Sequence, residues 1–139
     1  MSTRPVSGHA DLLPPPQVWW AVWAALMGSV IMLRVVIGPG SGTASAPALI
    51  ALGPLVVAAV ARFLVLPRFK TPAKAFPFFV AGLAAAEGAG IIGLFLGGRN
   101  ADTFIGLSLV MMGLYAPVLV LRRLLGAEAN PFRQGHGVE

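Results

Sequence analysis

Four long apolar runs, separated by short polar or glycine- and proline-rich stretches, dominate the hydropathy pattern of this chain. The runs cover residues 18–38, 47–66, 76–96 and 103–121. Each is close to the roughly 20 residues that a helix needs to cross the hydrocarbon core of a bilayer. The segments GPGSGTASAP, PRFKTPAKAFP and GGRNAD between them are rich in helix-breaking residues and predict turns. The pattern predicts an all-α, polytopic membrane protein with four transmembrane helices arranged as two helical hairpins.

The two ends of the chain are polar and differ from the apolar middle. Residues 1–17 contain three consecutive prolines, which cannot lie inside a helix, and we expect a disordered arm there. Residues 122–139 form a short polar tail. The predicted organisation is a cytoplasmic arm over 1–17, a transmembrane domain over 18–121 and a cytoplasmic tail over 122–139.

Composition supports a bilayer rather than water as the solvent. The chain has 139 residues, a mean hydropathy of +0.82 and only 11% charged residues, whereas a soluble domain carries roughly 25%. The absence of cysteine excludes disulfides, thiolate nucleophiles and cysteine metal sites. Neither a cofactor nor a metal ion is predicted.

The net charge of +5 comes from basic residues that flank the apolar runs. A nucleic-acid-binding protein would instead cluster its basic residues on a polar face together with aromatic residues, so nucleic acid is not predicted as a partner. Lys and Arg collect on the cytoplasmic side of membrane proteins. Two of them, Arg34 and Arg99, fall on one predicted side, and eight fall on the other: Arg4, Arg62, Arg68, Lys70, Lys74, Arg122, Arg123 and Arg133. We therefore expect a bacterial inner-membrane protein with both termini in the cytoplasm.

Several of these cations have two interpretations. Arg68, Lys70, Lys74, Arg122 and Arg123 are candidates for contact with anionic lipid headgroups, and simple anchoring of the topology is the alternative. The tryptophans Trp19, Trp20 and Trp23 crowd one end of the first run, as interfacial anchors do.

Glu87 is the most unusual residue, because it lies near the middle of the third run in AAAEGAG. A charged acidic residue at the centre of a membrane helix costs about 2.5–3.5 kcal/mol on insertion scales. We expect Glu87 to be protonated, paired or facing a hydrated interior. It is either a hydrogen-bonded element that fixes helix register or a proton- or ion-handling group.

Four residues are candidate partners for Glu87. Tyr115 and Ser108 in the fourth run lie at similar depth and could hydrogen-bond a neutral carboxyl. Arg62 and Arg34 lie within about a turn of their span ends, so each either reaches towards Glu87 or extends to a headgroup layer.

Small residues recur four apart along the third run and form ridges that let helices approach closely in lipid. These helix-packing candidates are Gly82, Ala86, Gly90, Ala89, Gly93 and Gly97. The ridges predict association through the third helix, either as a homo-oligomer or with another membrane protein. No catalytic motif occurs, so we expect a protein that is not an enzyme and whose first partner is the lipid bilayer.

Two resemblances rest on these residues. The four-span layout, the P-R-F-K-T-P loop and the third span L-A-A-A-E-G-A-G-I-I-G resemble a group of small uncharacterised bacterial membrane proteins. Residues 47–98 also resemble the hairpin of the proteolipid c subunit of rotary ATP synthases, which has a polar cytoplasmic loop before a helix with a mid-membrane glutamate. In that family the carboxyl carries the transported proton or sodium ion, and the resemblance implies this role for Glu87.

Overall fold

The computed structural model describes residues 15–38, 48–96 and 98–128, and within these ranges the regular structure is entirely helical. Most of the predicted arm over 1–17 and the tail beyond residue 128 lie outside the described residues. The described residues form five α-helices: α1 (Pro16–Ile37), α2 (Ala48–Val60), α3 (Pro72–Leu96), α4 (Ala101–Leu114) and α5 (Pro117–Glu128). A π-helical segment (Ala61–Val65) and a 3-10 turn (Leu66–Arg68) extend α2, and a second 3-10 turn (Gly98–Asn100) precedes α4.

Local sequence explains both ends of α1. The helix begins with Pro16 at its first turn, where proline is favoured because its missing N–H would have had no helical partner. It ends at Ile37, and the next residue, Gly38, has a φ of 78° and donates its N–H to the carbonyl of Arg34 at 3.1 Å. A left-handed glycine in this position terminates helices at no steric cost, as the predicted turn requires.

Three stretches of the described chain are long and apolar enough to cross a membrane: Pro16–Ile37, Pro72–Leu96 and Gly98–Arg122. The second predicted span, 47–66, differs because its regular α-helix has only 13 residues. Past Val60 the chain changes to π-helical hydrogen bonding, in which the N–H of Leu66 donates to the carbonyl of Ala61. Pro67 has no N–H to continue the helix, and the segment ends one 3-10 turn later at Arg68.

The third helix begins four residues earlier than the predicted 76. Pro72 occupies its first position, so the predicted basic loop shrinks to residues 69–71 and Lys74 lies in the first helical turn. Pro77 is accommodated near the helix start. With this start, Glu87 lies roughly 22 Å from the first residue of α3 and roughly 14 Å from its last, at 1.5 Å per residue.

The predicted fourth helix over 103–121 is interrupted. α4 ends at Leu114 and α5 begins at Pro117, and the second helix continues past the predicted end at 121 to Glu128. The physical reason is Pro117, which lacks the N–H that would continue the helical ladder. The N–H groups of Tyr115 and Ala116 instead bond the carbonyls of Met112 and Gly113 at 3.0 Å each.

α3 occupies the centre of the bundle and packs against α2 and α4, with α1 as a further neighbour. α1 and α3 run parallel, because Trp19 near the start of α1 packs on Phe76 and Phe79 near the start of α3. Trp19 is fully buried in this aromatic cluster, whereas Trp20 is 45% exposed. The expectation of three interfacial anchors is therefore wrong for Trp19, whose indole is part of the core.

Candidate functional site

Glu87 meets a serine from the neighbouring parallel helix. Ser29 of α1 and Glu87 of α3 form a hydrogen bond between the serine Oγ and the glutamate Oε1, and both residues are partly buried. Since α1 and α3 run parallel, both residues lie at a similar level, roughly 20 Å and 22 Å from the starts of their helices. The carboxyl therefore joins α1 to α3 deep within the apolar part of the bundle.

The hydroxyl of Ser29 has two acceptors within reach. Its Oγ also lies 2.8 Å from the carbonyl oxygen of Leu26, which can only accept. The contact with Leu26 stays within α1, whereas the contact with Glu87 joins α1 to α3. The single proton of the hydroxyl therefore serves the backbone of its own helix and the side chain of a second helix.

The four predicted partners of Glu87 each form a contact with another group. Tyr115 Oη donates to the carbonyl of Ala58 at 2.6 Å, and Ser108 Oγ donates to the carbonyl of Ala86 at 2.6 Å. Both side chains are fully buried, as hydrogen-bonded hydroxyl groups in a core usually are. These two hydroxyls thus bond main-chain carbonyls of α2 and α3.

The two arginines lie towards opposite ends of the bundle. Arg34 Nη2 pairs with Asp102 Oδ1 at 2.7 Å, joining the end of α1 to the first turn of α4. Arg62 Nε donates to the carbonyl of Leu114 at 2.7 Å. Both contacts tie helices together near their ends, about a turn or more away from the level of Glu87.

Two irregular segments each donate a hydrogen bond to a neighbouring part of the bundle. Arg62 belongs to the π-helical segment and bonds Leu114 at the interruption before α5. Tyr115 belongs to that interruption and bonds Ala58, three residues before the π-helical segment. In lipid, carbonyls at such irregularities need a donor from a neighbouring helix. The π-helical segment supplies a donor to the last residue of α4, and the interruption supplies one to α2 just before the π-helical segment.

The small residues of α3 lie against α4 of the same chain. A Cβ added to Gly82 would lie 2.0 Å from Tyr115 Oη, and one added to Gly93 would lie 2.2 Å from Phe104 Cβ. At Gly90 the nearest atom would be Ser108 Oγ at 2.7 Å. The buried members of the ridges are Gly82, Ala86, Ala89, Gly90 and Gly93, and Gly97 lies outside the described residues. Close contact between α3 and α4 therefore depends on the absence of side-chain atoms at these positions.

The remaining predicted residues lie at the surface of one end of the bundle. Four of the proposed headgroup contacts have exposed side chains: Arg68, Lys70, Lys74 and Arg122. The side chain of Arg123 lies outside the described residues. Among the described residues, no three His, Asp or Glu side chains come together in a group that could hold a metal ion.

Sequence reasoning missed Ser29 and Asp102. Ser29 is a polar residue inside the first apolar run, and the signal that could have identified it was its depth. If the first and third helices are parallel, residues at equal distances from the starts of these helices lie at the same level. Asp102 was interpreted as a loop residue, but it lies in the first turn of α4, where a negative charge is favoured by the helix dipole.

Comparisons with known proteins add no assignment to this geometry. No protein-family model matches the chain, and searches of curated proteins and of solved structures return no match. The resemblance of residues 47–98 to the proteolipid hairpin therefore stays a prediction, and the site must be interpreted from its own residues.

Proposed function

We propose that this chain is a four-span protein of the bacterial inner membrane, with both termini in the cytoplasm, that serves as a non-enzymatic helix-packing or complex-forming component. The observation that carries this proposal is the use of polar side chains within the bundle. In the described part of the chain, five side chains donate a hydrogen bond to a different helical segment, and they are those of Trp23, Ser29, Arg62, Ser108 and Tyr115. Side chains committed to holding helices together indicate a packing role.

The parallel relation of α1 and α3 supports a fourth crossing. The last residue of α1 and the first residue of α3 lie at opposite ends of the bundle. The chain that connects them therefore has to cross the full thickness of the bundle. The helical stretch 48–68 is roughly 30 Å long at about 1.5 Å per residue, which matches the hydrocarbon core. With four crossings, both termini lie on the same side.

The distribution of cations supports the orientation. Arg62, Arg68, Lys70 and Lys74 follow one another at the end where α2 meets α3, whereas Arg34 and Arg99 lie at the other end. Fusion of a reporter that is active only in the periplasm tests this topology. Fusions after residue 139 and within residues 69–71 should be inactive, and fusions within residues 39–47 should be active; activity at the C-terminus would overturn it.

The non-enzymatic part of the proposal rests on the surroundings of Ser29 and Glu87. A hydroxyl and a carboxyl within hydrogen-bond distance resemble part of a catalytic pair, but these two lie roughly 12–14 Å inside the far ends of their helices. Water and lipid headgroups are at the interfaces, away from this level. The pair is better suited to joining two helices than to attacking a substrate.

Complex formation is tested by crosslinking in native membranes. We expect the chain to crosslink to a second copy or to another membrane protein through a photoreactive residue placed on the exposed face of α1, for example at Met32, which is 69% exposed. Recovery of monomers alone would contradict a complex-forming role. A residue placed at Ser108, which is fully buried, should crosslink within the chain and serves as the control.

A second candidate function is proton or cation handling at Glu87. The observation that motivates it is that the Glu87 carboxyl lies deep in the bundle, bonds Ser29 and still retains some exposed surface. Difference infrared spectroscopy of the wild type against Glu87→Gln, between about pH 5 and pH 10, separates the two roles.

The packing role predicts a protonated carboxyl band throughout that range. It also predicts no difference in proton flux between the wild type and Glu87→Gln in liposomes. A band that titrates, together with flux that Glu87→Gln abolishes, would support ion handling and contradict the purely structural role.

A further inference from the structure

A cavity of about 190 Å³ opens beside the irregular segment that follows α2, at the end of the bundle that carries most of the cations. Its walls come from the π-helical segment, the adjoining turn and α5. The lining combines two cationic side chains with an apolar surface, and the residues used below are Arg62, Lys70, Leu66, Phe69, Val120 and Leu124. None of the residues that line it in the described part of the chain is acidic.

The cationic part of the cavity is held in place by the fold. Arg62 donates from Nε to the carbonyl of Leu114, which fixes the base of its guanidinium group. A guanidinium group keeps its positive charge whatever else it bonds. Lys70 lies on the exposed loop just past the 3-10 turn, so the two positive charges border one opening.

The apolar part of the cavity is suited to hydrocarbon. Leu66, Val120 and Leu124 are each no more than 5% exposed, and Phe69 lies beside them and stacks on Phe78 at 4.7 Å between ring centroids. An inorganic anion would gain no binding free energy from contact with this apolar surface. A ligand that has both a negative headgroup and an acyl chain would contact both parts.

We propose that this cavity binds an anionic phospholipid, with its phosphate between Arg62 and Lys70 and the first part of an acyl chain against Leu66, Val120 and Leu124. Positively charged pockets among membrane helices on the cytoplasmic side are suited to such headgroups. The site differs from general anchoring of the topology, because only two of the cations whose side chains the structure describes line it. Lys74 and Arg68, which are near in sequence, do not line the cavity.

The test uses the full chain in nanodiscs, where both leaflets are accessible and the result does not depend on the orientation of the protein. Nanodiscs of phosphatidylcholine receive a small fraction of labelled phosphatidylglycerol, and its binding is measured by energy transfer from the tryptophans. Lys70→Gln should weaken binding about fivefold, the effect of one cation near a membrane surface. Lys74→Gln removes the same charge from the same end and should leave binding within twofold.

A second pair of variants tests the apolar part without changing charge. Val120→Phe adds volume to the lining and should weaken binding, whereas Val118→Phe lies on the same helix with a half-exposed side chain and should not. Circular dichroism of all four variants checks that the helices are intact, and Lys70 is exposed, so its replacement leaves the core unchanged.

Three results would overturn the proposal. Equal weakening by Lys70→Gln and Lys74→Gln would mean diffuse attraction to the membrane surface. No difference between the two phenylalanine variants would remove the acyl-chain contact. Displacement of the lipid by millimolar inorganic phosphate would identify a site for the free anion instead.

Discussion

Replacement of Gly82 by alanine tests whether α3 and α4 are held as closely as the structure indicates. A Cβ on Gly82 would lie 2.0 Å from Tyr115 Oη, 2.6 Å from Cζ and 2.9 Å from Cε1. Ordinary van der Waals contacts of a Cβ atom lie at 3.4–4 Å. The tyrosine ring is fully buried, so it can make room only by moving against its neighbours or by separating the two helices.

Three contributions set the size of the effect. Overpacking of a buried site costs about 1–3 kcal/mol. Displacement of Tyr115 also weakens its hydrogen bond to Ala58, worth about 0.6–1.5 kcal/mol. Alanine gains back about 1 kcal/mol of helix propensity over glycine. The net expectation for Gly82→Ala is a loss of about 1–3 kcal/mol in the free energy of unfolding.

Gly88 provides a matched control on the same helix, because a Cβ added there meets nothing within 4 Å. Gly88→Ala should leave the protein as stable as the wild type or more stable, by up to about 1 kcal/mol. Equilibrium unfolding with a denaturing detergent in mixed micelles, followed by the fluorescence of the tryptophans, measures both variants.

Combination with Tyr115→Phe identifies the group that opposes the added methyl. Phenylalanine removes the closest atom, so Gly82→Ala should cost less in that background than in the wild type. Equal stability of Gly82→Ala and Gly88→Ala, or an equal cost in both backgrounds, would refute the close approach of α3 to Tyr115.

Two other contacts give smaller expected effects, measured by the same unfolding assay. Trp23→Phe removes the indole N–H that donates to the carbonyl of Met112 at 2.9 Å. The free energy of unfolding should fall by about 1 kcal/mol, because that carbonyl keeps the N–H of Tyr115 as a partner. A fall of more than about 3 kcal/mol would indicate a larger role for the indole. Asp102→Asn breaks the ion pair with Arg34, in which the Asp102 side chain is 67% exposed. The free energy of unfolding should fall by less than about 1 kcal/mol, and by still less at high salt, because salt screens exposed charges. A loss of stability that salt does not reduce would contradict an ion pair at the surface.

Hydropathy located the apolar helices because transfer of apolar side chains into lipid depends on each segment's own composition. It placed α1 within two residues at either end and identified three stretches that are long enough to cross. It misplaced the start of α3, where Pro72 at the first position was a usable signal. It also joined α4 and α5, although Pro117 marked the interruption.

The partner of Glu87 could not be obtained from hydropathy, because a hydrogen bond between helices depends on their direction and rotation. Tyr115 and Ser108 were reasonable candidates by depth, but their hydroxyls bond main-chain carbonyls. Ser29 becomes a candidate only once α1 and α3 are known to be parallel. Charge and hydropathy specify which residues belong in the membrane, and the helix arrangement determines which of them meet.

The two irregular segments show how this bundle combines tight packing with departures from regular helix. The interruption at Tyr115 leaves the carbonyl of Leu114 facing the π-helical segment, where Arg62 reaches it, and Tyr115 in turn reaches Ala58. Tyr115 can do so only because Gly82 has no side chain in its way. The glycine of α3, the tyrosine at the interruption and the carbonyl of α2 are therefore one unit, in which a change at any position affects the other two. Arg62, which bonds the carbonyl of Leu114 directly before Tyr115, also lines the cavity, so the interruption before α5 holds a cation in place at the proposed lipid site.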